Sequence, residues 1–517
     1  VLADWLKQNI KQRLYAGAGV GWAAGLGQGL TADELAAPGK VLAEYRDRGL
    51  EPGSKIVPAL LEGAPPNPEP SASVSDEVAA SGNAAPLLKG PPPIDPLYPL
   101  YVPLTPAPEE TRALRVRLGL PPEGSIHVVY LFVESLRAFE LFHPTIGPII
   151  FPRLRKVFDT HGIVFTQAYT SAAIAGQTVR GQFSTQCSML PNMTGAATYM
   201  AHASIRLDCI QGVLRDNGYR TTWFNSYRSS FHNKRVFETL HGMQQFFDET
   251  YFRSQGITRQ IGDIGLEDRG FLRETLRKLE MLDRESNSPI YANVLTTSTH
   301  HPYSYLEDAP VPEPLFTEVN RVRPYYLNFL SRYRYADEAL GDFFDALFVS
   351  PLADRTLVVL LGDHGSPVQT HLDLAPVPAA ELRYRIPIAL ITHHLARPER
   401  IDHPVHQVDV TPTVAEIVGA KGTETWVGRS LFSPEGSQWI NMNGETLRYR
   451  FGDRACYTLK VNAPLSCWDL TGIDPLYQQP ARALPEDPAE TAFAQKVVMA
   501  NRQAIVLNQV KPHLKEE

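Results

Sequence analysis

The stretch IHVVYLFVE, residues 126–134, decides the fold of this chain. Its apolar residues form a nearly continuous run that only His127 interrupts, and such runs are typical of strands that a parallel sheet buries on both faces. The run ends on the carboxylate of Glu134. In open α/β sheets, ligands gather beyond the carboxyl ends of the strands. The stretch therefore predicts a buried central strand with a site residue directly after it.

Three further strand-like runs, at 356–361, at 291–299 and near 163–169, are also followed by polar residues. The polar residues after these runs are Asp363 with His364, His300, and Thr178 in a glycine-rich loop. Because the carboxyl ends of parallel strands meet at one edge of a sheet, we predict that these side chains and Glu134 form a single site.

Strand-like and helical segments alternate over residues 121–430. The alternation predicts an α/β fold whose mostly parallel central sheet carries helices on both faces. After residue 431 the segments become shorter and more strand-like, which predicts a small C-terminal α+β subdomain over 431–517. Residues 1–120 form a third part, in which two segments of helical composition precede a stretch rich in Pro, Ser, Ala and Gly at 65–108. We predict that this part is an extended arm.

The composition excludes some classes of function. The chain has 517 residues and a net charge of −7, so it lacks the basic field that binding to nucleic acid requires. The sequence contains no uninterrupted apolar stretch close to the ~20 residues that cross a bilayer. The first residue is Val1 rather than methionine, and we expect that any membrane association uses a segment absent from this chain.

The chain has four cysteines, which fall into two pairs that are close in sequence. In an oxidising compartment, Cys187 with Cys209 and Cys456 with Cys467 could form bridges that close short loops. The alternative is four buried free thiols, and the spacing does not decide between the two.

The residues Glu134, Asp363 and His364 combine carboxylate oxygens with an imidazole nitrogen. This mixture suits Mn²⁺, Zn²⁺ or Mg²⁺. Gly362 and Gly365 flank the Asp-His pair and permit the sharp turn that would let both side chains bind one ion. A plain strand-to-loop turn with an aspartate cap is the alternative for this pentapeptide taken alone.

Thr178 lies where a helix is predicted to begin, and free N–H groups at a helix start favour a phosphate. Its hydroxyl is a poor nucleophile at neutral pH, but coordination to a metal would activate it. A helix N-cap threonine is the alternative. Arg180 could contact an anionic group or could be a solvated helix residue.

Two further segments offer side chains for a substrate. His300 and His301 follow a strand-like run, so one of them could contact the substrate or protonate a leaving oxygen, although a lone loop histidine is more often structural. Lys234 and Arg235 belong to the segment FHNKR, which could bind a phosphate or a headgroup. A basic surface turn is the alternative for that segment.

Five pieces of sequence together resemble the alkaline phosphatase superfamily, and within it the lipoteichoic acid synthase-like, sulfatase-type phosphoglycerol transferases. The pieces are VESL at 133–136, GQTVRG at 176–181, THHP at 299–302, GDHG at 362–365 and VDVTPT at 408–413. They occur in the expected order, and the resemblance covers residues 126–419. It implies an α/β/α sandwich and one divalent metal, most often manganese, with zinc or magnesium as alternatives.

The resemblance also implies roles for individual residues. The metal ligands would be Glu134, Thr178, Asp363 and His364, and Thr178 would be the nucleophile. His300 would bind the substrate. The headgroup-binding arginine of the family falls on Lys234, with Arg235 next to it. Arginine and lysine are not interchangeable at a bidentate site, so this departure leaves the headgroup open.

The implied function is transfer of a phosphoglycerol-type headgroup from a phospholipid to a glycan or polyol acceptor through a phospho-threonine intermediate. The enzyme would be extracytoplasmic and, in its full length, anchored to a bacterial membrane. The alternatives are a phosphoethanolamine transferase, a phosphodiesterase or sulfatase-like hydrolase, and a binding domain that is not catalytic. Sulfate-ester hydrolysis is disfavoured because the segment CSMLP at 187–191 lacks the spacing and the arginine of the sulfatase motif.

Overall fold

The computed structural model describes residues 31, 37–48, 91–172, 177–193, 195–374, 380–433, 436–443, 446–459, 463–474, 476–477 and 481–513. The strands are β1 (Val102–Leu104), β2 (His127–Val133), β3 (Gly162–Tyr169), β4 (Arg220–Asn225), β5 (Gln245–Phe247), β6 (Ile290–Leu295), β7 (Thr356–Gly362), β8 (Arg385–Ile391), β9 (Glu399–Ile401), β10 (Val405–His406), β11 (Gly422–Glu424), β12 (Trp439–Asn443), β13 (Thr446–Phe451), β14 (Arg454–Thr458), β15 (Leu465–Asp469) and β16 (Arg482–Leu484).

The α-helices are α1 (Pro38–Asp47), α2 (Pro108–Arg117), α3 (Ala138–Phe142), α4 (Ile146–Ile150), α5 (Pro152–His161), α6 (Gln177–Cys187), α7 (Thr198–Ala201), α8 (Ile210–Asp216), α9 (Lys234–Leu240), α10 (Glu249–Ser254), α11 (Asp268–Glu285), α12 (Leu315–Val322), α13 (Pro324–Phe348), α14 (Val410–Val418) and α15 (Pro488–Val506). Of the described helices, none is long and apolar enough to cross a membrane.

The main sheet has nine strands within the described residues. Their order is β10, β3, β8, β7, β2, β6, β4, β5, and β9 pairs with β3 beside this path. Strand β8 runs antiparallel to its neighbours β7 and β3, whereas the other neighbouring strands are parallel to each other. The predicted α/β fold with a mostly parallel sheet is therefore confirmed.

Strand β2 lies at the centre of the sheet, and all of its residues are buried. Its odd-numbered residues 129–133 face one apolar core, to which α5, α11 and α13 contribute. Its even-numbered residues 128–132 face a second core, to which α2, α8 and α14 contribute. Side chains alternate between the two faces of a strand, so only a run that is apolar at every position can fill both cores.

The register between β2 and β7 brings the ends of the two strands together. Val133 pairs with Gly362, so Glu134 and Asp363 leave neighbouring parallel strands at the same edge of the sheet. Strand β6 flanks β2 on its other side and ends at Leu295. His300 is therefore five residues beyond a strand end, because the run predicted over 291–299 is a strand only as far as residue 295.

The C-terminal region forms the predicted subdomain around a five-stranded antiparallel sheet, in the order β12 to β16. A third apolar core joins this sheet to helices α6 and α15 and includes Val179 and Phe183 of α6, Tyr449 of β13 and Phe493 of α15. The structure pairs all four cysteines, Cys187 with Cys209 and Cys456 with Cys467.

Within the N-terminal part the structure describes Thr31, residues 37–48 and residues 91–120, so most of the stretch rich in Pro, Ser, Ala and Gly lies outside the described residues. The first segment of helical composition lies outside the described residues. The second includes α1, which packs against α15, and Tyr45 of α1 donates a hydrogen bond to the carbonyl oxygen of Gln438 at 2.7 Å. Strand β1 pairs with β11, so this part of the chain contacts the rest of the protein both at α1 and at β1. The domain boundary at residue 120 stays a prediction.

Candidate active site

Three side chains converge at the carboxyl edge of the main sheet: Glu134 after β2, and Asp363 and His364 after β7. One ligand atom from each lies within 4.8 Å of the others, and all three residues are buried. The Nε2 atom of His364 lies 3.3 Å from Oε1 of Glu134 and 3.4 Å from Oδ2 of Asp363. The β2–β7 register explains this convergence, because it places the two strand ends next to each other.

Hydrogen bonds from the backbone orient the ligand atoms. The Oδ1 atom of Asp363 accepts from the backbone N–H groups of Ser135 and His364, both at 2.8 Å. Its Oδ2 atom is buried and has no hydrogen-bond partner in the described part of the chain. The Nδ1 atom of His364 donates to the carbonyl oxygen of Gly365 at 2.7 Å, which leaves the lone pair on Nε2 for a ligand.

The three ionisable groups shift each other's pKa values. Burial, followed by repulsion from Glu134, raises the pKa of Asp363 to about 7. Burial acts to lower the pKa of His364, but Asp363 and Glu134 outweigh it and raise that pKa to about 9. Burial is the largest single influence on the pKa of Glu134 and acts to raise it, but the charge and hydrogen bond of His364, with smaller contributions from His300 and Ser135, together hold that pKa below its usual value.

The donor set fits a divalent metal ion. Two crowded carboxylates, an imidazole with a free Nε2 and an orphaned buried oxygen on Asp363 are what such an ion would satisfy. Glu134, Asp363 and His364 would hold the ion, and Thr178 supplies a fourth oxygen beside them. The identity of the ion stays a prediction.

Thr178 is the second residue of helix α6, and its hydroxyl donates a hydrogen bond to Oε2 of Glu134 at 3.3 Å. The helix can approach the strand end closely because Gly181 has no side chain. A Cβ atom at residue 181 would lie 1.8 Å from the carbonyl oxygen of Asp363. The amide of Gln407 donates to the same carbonyl oxygen at 2.8 Å. The structure therefore brings together Glu134, Thr178, Asp363 and His364 as one group.

His300 is half-buried and lies close enough to Glu134 to lower the pKa of that carboxyl group. Its Nδ1 atom donates to the carbonyl oxygen of His301. His301 is exposed, and burial of part of its ring lowers its pKa. Hence His300 belongs to the site, while His301 lies at its outer margin. Their roles toward a substrate stay predictions.

Lys234 and Arg235 point in different directions. Burial lowers the pKa of Lys234 to about 8, while the charges of Glu134 and Asp363 act to raise it, so the ammonium group is close enough to both carboxylates to be influenced by them. Among the described residues, no hydrogen bond or ion pair satisfies this ammonium group. Arg235 is exposed, and its guanidinium lies 4.9 Å above the ring of Phe246. The structure places only the lysine within the site.

Arg180 is buried, and it holds a loop rather than facing solvent. Its Nε atom donates to the carbonyl oxygen of Asn192 at 2.8 Å, and its Nη2 atom donates to that of Gly195 at 2.6 Å. Burial lowers its pKa to about 10. The prediction that Arg180 contacts an anionic group is untested, but the described contacts are those of a residue that fixes the loop after α6.

The structure adds three residues that the sequence did not single out. Ser135, which has a φ of 56°, donates its hydroxyl to Oε1 of Glu134 at 2.8 Å. The hydroxyl of Thr299 donates to the carbonyl oxygen of Glu134. His232 has a φ of 54°, and burial together with the charges of Lys234 and Arg180 lowers its pKa to about 3. In the sequence, the only sign of these three residues is that each lies one or two positions from a predicted site residue.

A second group of possible metal ligands lies at the opposite end of β7. It consists of Asp354, His393 and His394, which are partly or fully exposed. Asp354 belongs to a 3-10 turn directly before β7, and the two histidines follow β8. None of the sequence motifs that predicted the buried group includes these three residues.

Comparison with known proteins agrees with the family resemblance and the fold. A family model described as Sulfatase matches residues 126–420, more than half of the chain. Lipoteichoic acid synthase 2 of Bacillus subtilis (strain 168) is 23% identical over 341 residues, which are 63% of this chain and 49% of the relative. Phosphoglycerol transferase I of Xanthomonas campestris pv. campestris (strain B100) is 24% identical over 251 residues, which are 47% of this chain and 34% of the relative. The chain thus spans about half or less of these relatives' length.

Two solved structures share the fold. One is a protein in the alkaline phosphatase superfamily from Vibrio parahaemolyticus, with a TM-score of 0.64, 22% identity, and coverage of 81% of this chain and 94% of that one. The other is the lipoteichoic acid synthase LtaP from Listeria monocytogenes, with a TM-score of 0.61, 18% identity, and coverage of 77% and 97%. The chain has the fold of the alkaline phosphatase superfamily, and it belongs to the Sulfatase family.

Proposed function

We propose that this chain is the catalytic part of a metal-dependent phosphotransferase that moves a phosphoglycerol-type headgroup from a phospholipid to a glycan or polyol acceptor. The observation that carries the proposal is the hydroxyl of Thr178 beside a buried group of two carboxylates and an imidazole. A binding protein has no need for an alcohol at this place, whereas a transferase needs a nucleophile next to its metal ligands. The relatives named lipoteichoic acid synthase and phosphoglycerol transferase support the choice of headgroup.

The proposed reaction has two displacements at phosphorus. In the first, the hydroxyl of Thr178 gives its proton to Oε2 of Glu134, to which it already donates a hydrogen bond, and Oγ1 forms a bond to phosphorus while the bond from phosphorus to the diacylglycerol oxygen breaks. The leaving oxygen takes a proton, for which His300 is the proposed donor. In the second, an acceptor hydroxyl gives its proton to His300 and attacks phosphorus, the bond to Thr178 breaks, and Oγ1 of Thr178 recovers its proton from Glu134. A bound divalent cation would supply the positive charge that favours the alkoxide of the threonine and neutralises a phosphoryl oxygen.

Lys234 has a separate task in this proposal. Among the described residues, its buried ammonium group lies near the rings of Trp223 and Phe231 but makes no hydrogen bond or ion pair, so it is available to a phosphate oxygen of the donor. A lysine presents a point charge with rotatable donors rather than a planar fork. It therefore suits a phosphodiester, which carries a single negative charge. Arg235 lies outside this contact because it packs on Phe246.

We propose manganese as the ion, because carboxylate and hydroxyl oxygens outnumber nitrogen in the group. We also propose an extracytoplasmic location. The two disulfide bridges support this location, because such bridges persist in oxidising compartments and are rare in the cytosol. Membrane anchoring through a segment outside this chain stays a prediction.

The test uses vesicles that contain headgroup-labelled phosphatidylglycerol, with Mn²⁺ added. The unchanged chain should release diacylglycerol and, without an acceptor, carry a glycerol phosphate adduct that intact-mass and peptide mass spectrometry assign to Thr178. Thr178→Ala should lose both the adduct and at least about a thousandfold of the turnover. Thr160→Ala is the matched control, because Thr160 is an exposed helical threonine whose hydroxyl only contacts its own helix.

The same experiment distinguishes the alternatives. An adduct and turnover with labelled phosphatidylethanolamine but not with phosphatidylglycerol would identify a phosphoethanolamine transferase. Release of free glycerol phosphate at a rate that added polyols do not reduce would identify a phosphodiesterase. If Thr178→Ala retained most of its turnover, the assignment of the nucleophile would be wrong.

A further inference from the structure

The surface group at the amino end of β7 has the composition and geometry of a second cation site. The Oδ1 atom of Asp354 lies 3.1 Å from Nδ1 of His393 and 2.8 Å from Nε2 of His394. Ligand atoms around a tetrahedral zinc ion lie roughly 3.3 Å apart, given metal–nitrogen distances of about 2.0–2.1 Å. All three ligand atoms lie within 4.8 Å of one another, so side-chain rotations without movement of the backbone would place a cation between them.

The fold holds the backbone of this group in place. Strands β7 and β8 are antiparallel neighbours, with Val358 opposite Ile391, so the turn before β7 and the segment after β8 meet at one edge. The carbonyl oxygen of His393 accepts a hydrogen bond from Nδ1 of His161 at 3.0 Å. The carbonyl of His394 packs so closely on Gly119 that a Cβ atom there would lie 1.8 Å from it.

The side chains of the three residues are accessible to solvent, although the backbone that carries them is held in place. Asp354 is 73% exposed, His394 58% and His393 28%. The ring of His393 stacks on Phe348 with a centroid distance of 5.4 Å, which limits its rotation. Because the group is open, an ion could reach it and keep a water molecule as a further ligand, and binding would not require the burial of charge.

The two groups at the ends of β7 differ in ligand type. The buried group offers two carboxylates, one imidazole and the hydroxyl of Thr178, whereas the surface group offers two imidazoles and one carboxylate. Imidazole nitrogens favour Zn²⁺, Ni²⁺ and Cu²⁺ over Mn²⁺, while oxygen ligands suit Mn²⁺. The groups should therefore select different ions from a mixture.

We propose that Asp354, His393 and His394 form a second divalent-cation site that takes a zinc-type ion and is independent of the reaction centre. Strand β7 has seven residues, so the two sites lie about 20 Å apart and do not share ligands. A cation bound there would link the turn before β7 to the segment after β8. It would stabilise the folded state by mass action. This site does not depend on the proposed transferase activity.

The test is a zinc titration of the metal-free protein at pH 7.5 by isothermal titration calorimetry, with up to ~100 µM free zinc. The unchanged chain should bind about two equivalents. His393→Ala/His394→Ala should bind about one, Asp363→Asn should bind about one, and the combined variant should bind none. With Mn²⁺ in place of zinc, the unchanged chain should bind about one equivalent that Asp363→Asn removes. His513→Ala is the matched control, an exposed histidine whose loss should leave about two equivalents.

The proposal fails if His393→Ala/His394→Ala binds as much zinc as the unchanged chain, or if the combined variant still binds one equivalent. Because Asp363 is buried, Asp363→Asn could fail to fold. Anomalous diffraction at the zinc edge from crystals of the unchanged chain then decides the question. A peak beside Asp354 supports the site, and its absence at the same zinc concentration, with a peak at the buried group, overturns it.

Discussion

The two ends of strand β7 carry the same kinds of residue in opposite electrostatic states. At the carboxyl end, the carboxyl group of Asp363 is buried beside Glu134, and burial raises its pKa to about 7. At the amino end, Asp354 is exposed, and hydrogen bonds from His393 and His394 lower the pKa of its carboxyl group. Solvent at the amino end screens the charges, whereas the sheet and α6 exclude it at the carboxyl end.

This contrast explains why only one end is suited to chemistry. Charges in the buried group cannot be satisfied by water, so they act on each other, on a cation and on the hydroxyl of Thr178. Charges in the exposed group are satisfied by water and by their neighbours. The same aspartate–histidine chemistry therefore fits the proposed reaction centre at one edge of the sheet and the proposed stabilising cation site at the other.

The largest difference between the two ends of β7 is expected in kcat/KM when one carboxylate charge is removed at each end. We expect Asp363→Asn to lower kcat/KM for a phosphodiester at least about a thousandfold, because it removes a ligand of the metal ion. Asp354→Asn should leave kcat/KM within about twofold. Steady-state kinetics at saturating Mn²⁺ measures both. Equal losses in the two variants would contradict the assignment of the reaction centre to the carboxyl end.

The next effect concerns the buried ammonium group of Lys234. Its folded pKa of about 8 lies below the usual 10.5, so the cost of burying the charge is complete below pH 8 and disappears as the pH rises toward 10.5. We expect Lys234→Met to stabilise the chain at pH 7 by about 1–3 kcal/mol, an advantage that is lost by pH 10.5. The same change should lower kcat/KM about 10- to 100-fold through the lost phosphate contact.

Thermal unfolding at pH 7 and at higher pH, together with kinetics, tests this pair of effects. Arg235→Met is the matched control, since Arg235 is exposed and packs on Phe246. It should change kcat/KM by no more than about threefold. A larger loss from the Arg235 variant than from the Lys234 variant would transfer the headgroup-binding role to the arginine.

Two glycines allow a matched test of close packing at each end. A Cβ atom at Gly181 would lie 1.8 Å from the carbonyl oxygen of Asp363, and one at Gly119 would lie 1.8 Å from that of His394. We expect each alanine variant to lose about 1–3 kcal/mol of stability. Only Gly181→Ala should also lower turnover, by about tenfold or more, because it displaces a metal ligand. Loss of turnover in Gly119→Ala beyond its loss of folded protein would refute the separation of the two ends.

The smallest effect is expected at the exposed group without metal. His394→Ala should change the free energy of unfolding by less than about 0.5 kcal/mol in the presence of a chelator, because exposed ion pairs contribute little. Chemical denaturation with and without zinc measures this. A large loss in chelator would mean that the histidine stabilises the fold by itself rather than through a cation.

Much of the fold and the central part of the site could be predicted from the sequence. The run before Glu134 had to be a doubly buried strand, and the Asp363–His364 pair had to follow another one, because both stretches are apolar at nearly every position. The extent of the strand before His300 was overestimated. Residues 296–299 are Thr, Thr, Ser and Thr, and the backbone N–H groups of Thr297 and Ser298 donate to the carboxylate of Asp268 rather than to a neighbouring strand.

The sequence by itself determined which chemical groups leave the strand ends, since side-chain alternation and apolar runs are local properties. Only the tertiary structure decided the distances among them, the separation of Lys234 from Arg235, and the use of Arg180 to hold a loop. It also brought Asp354 to His393 and His394. The physical reason is that strand register and helix packing join residues far apart in the chain, and the charge of each group depends on how much solvent those contacts exclude.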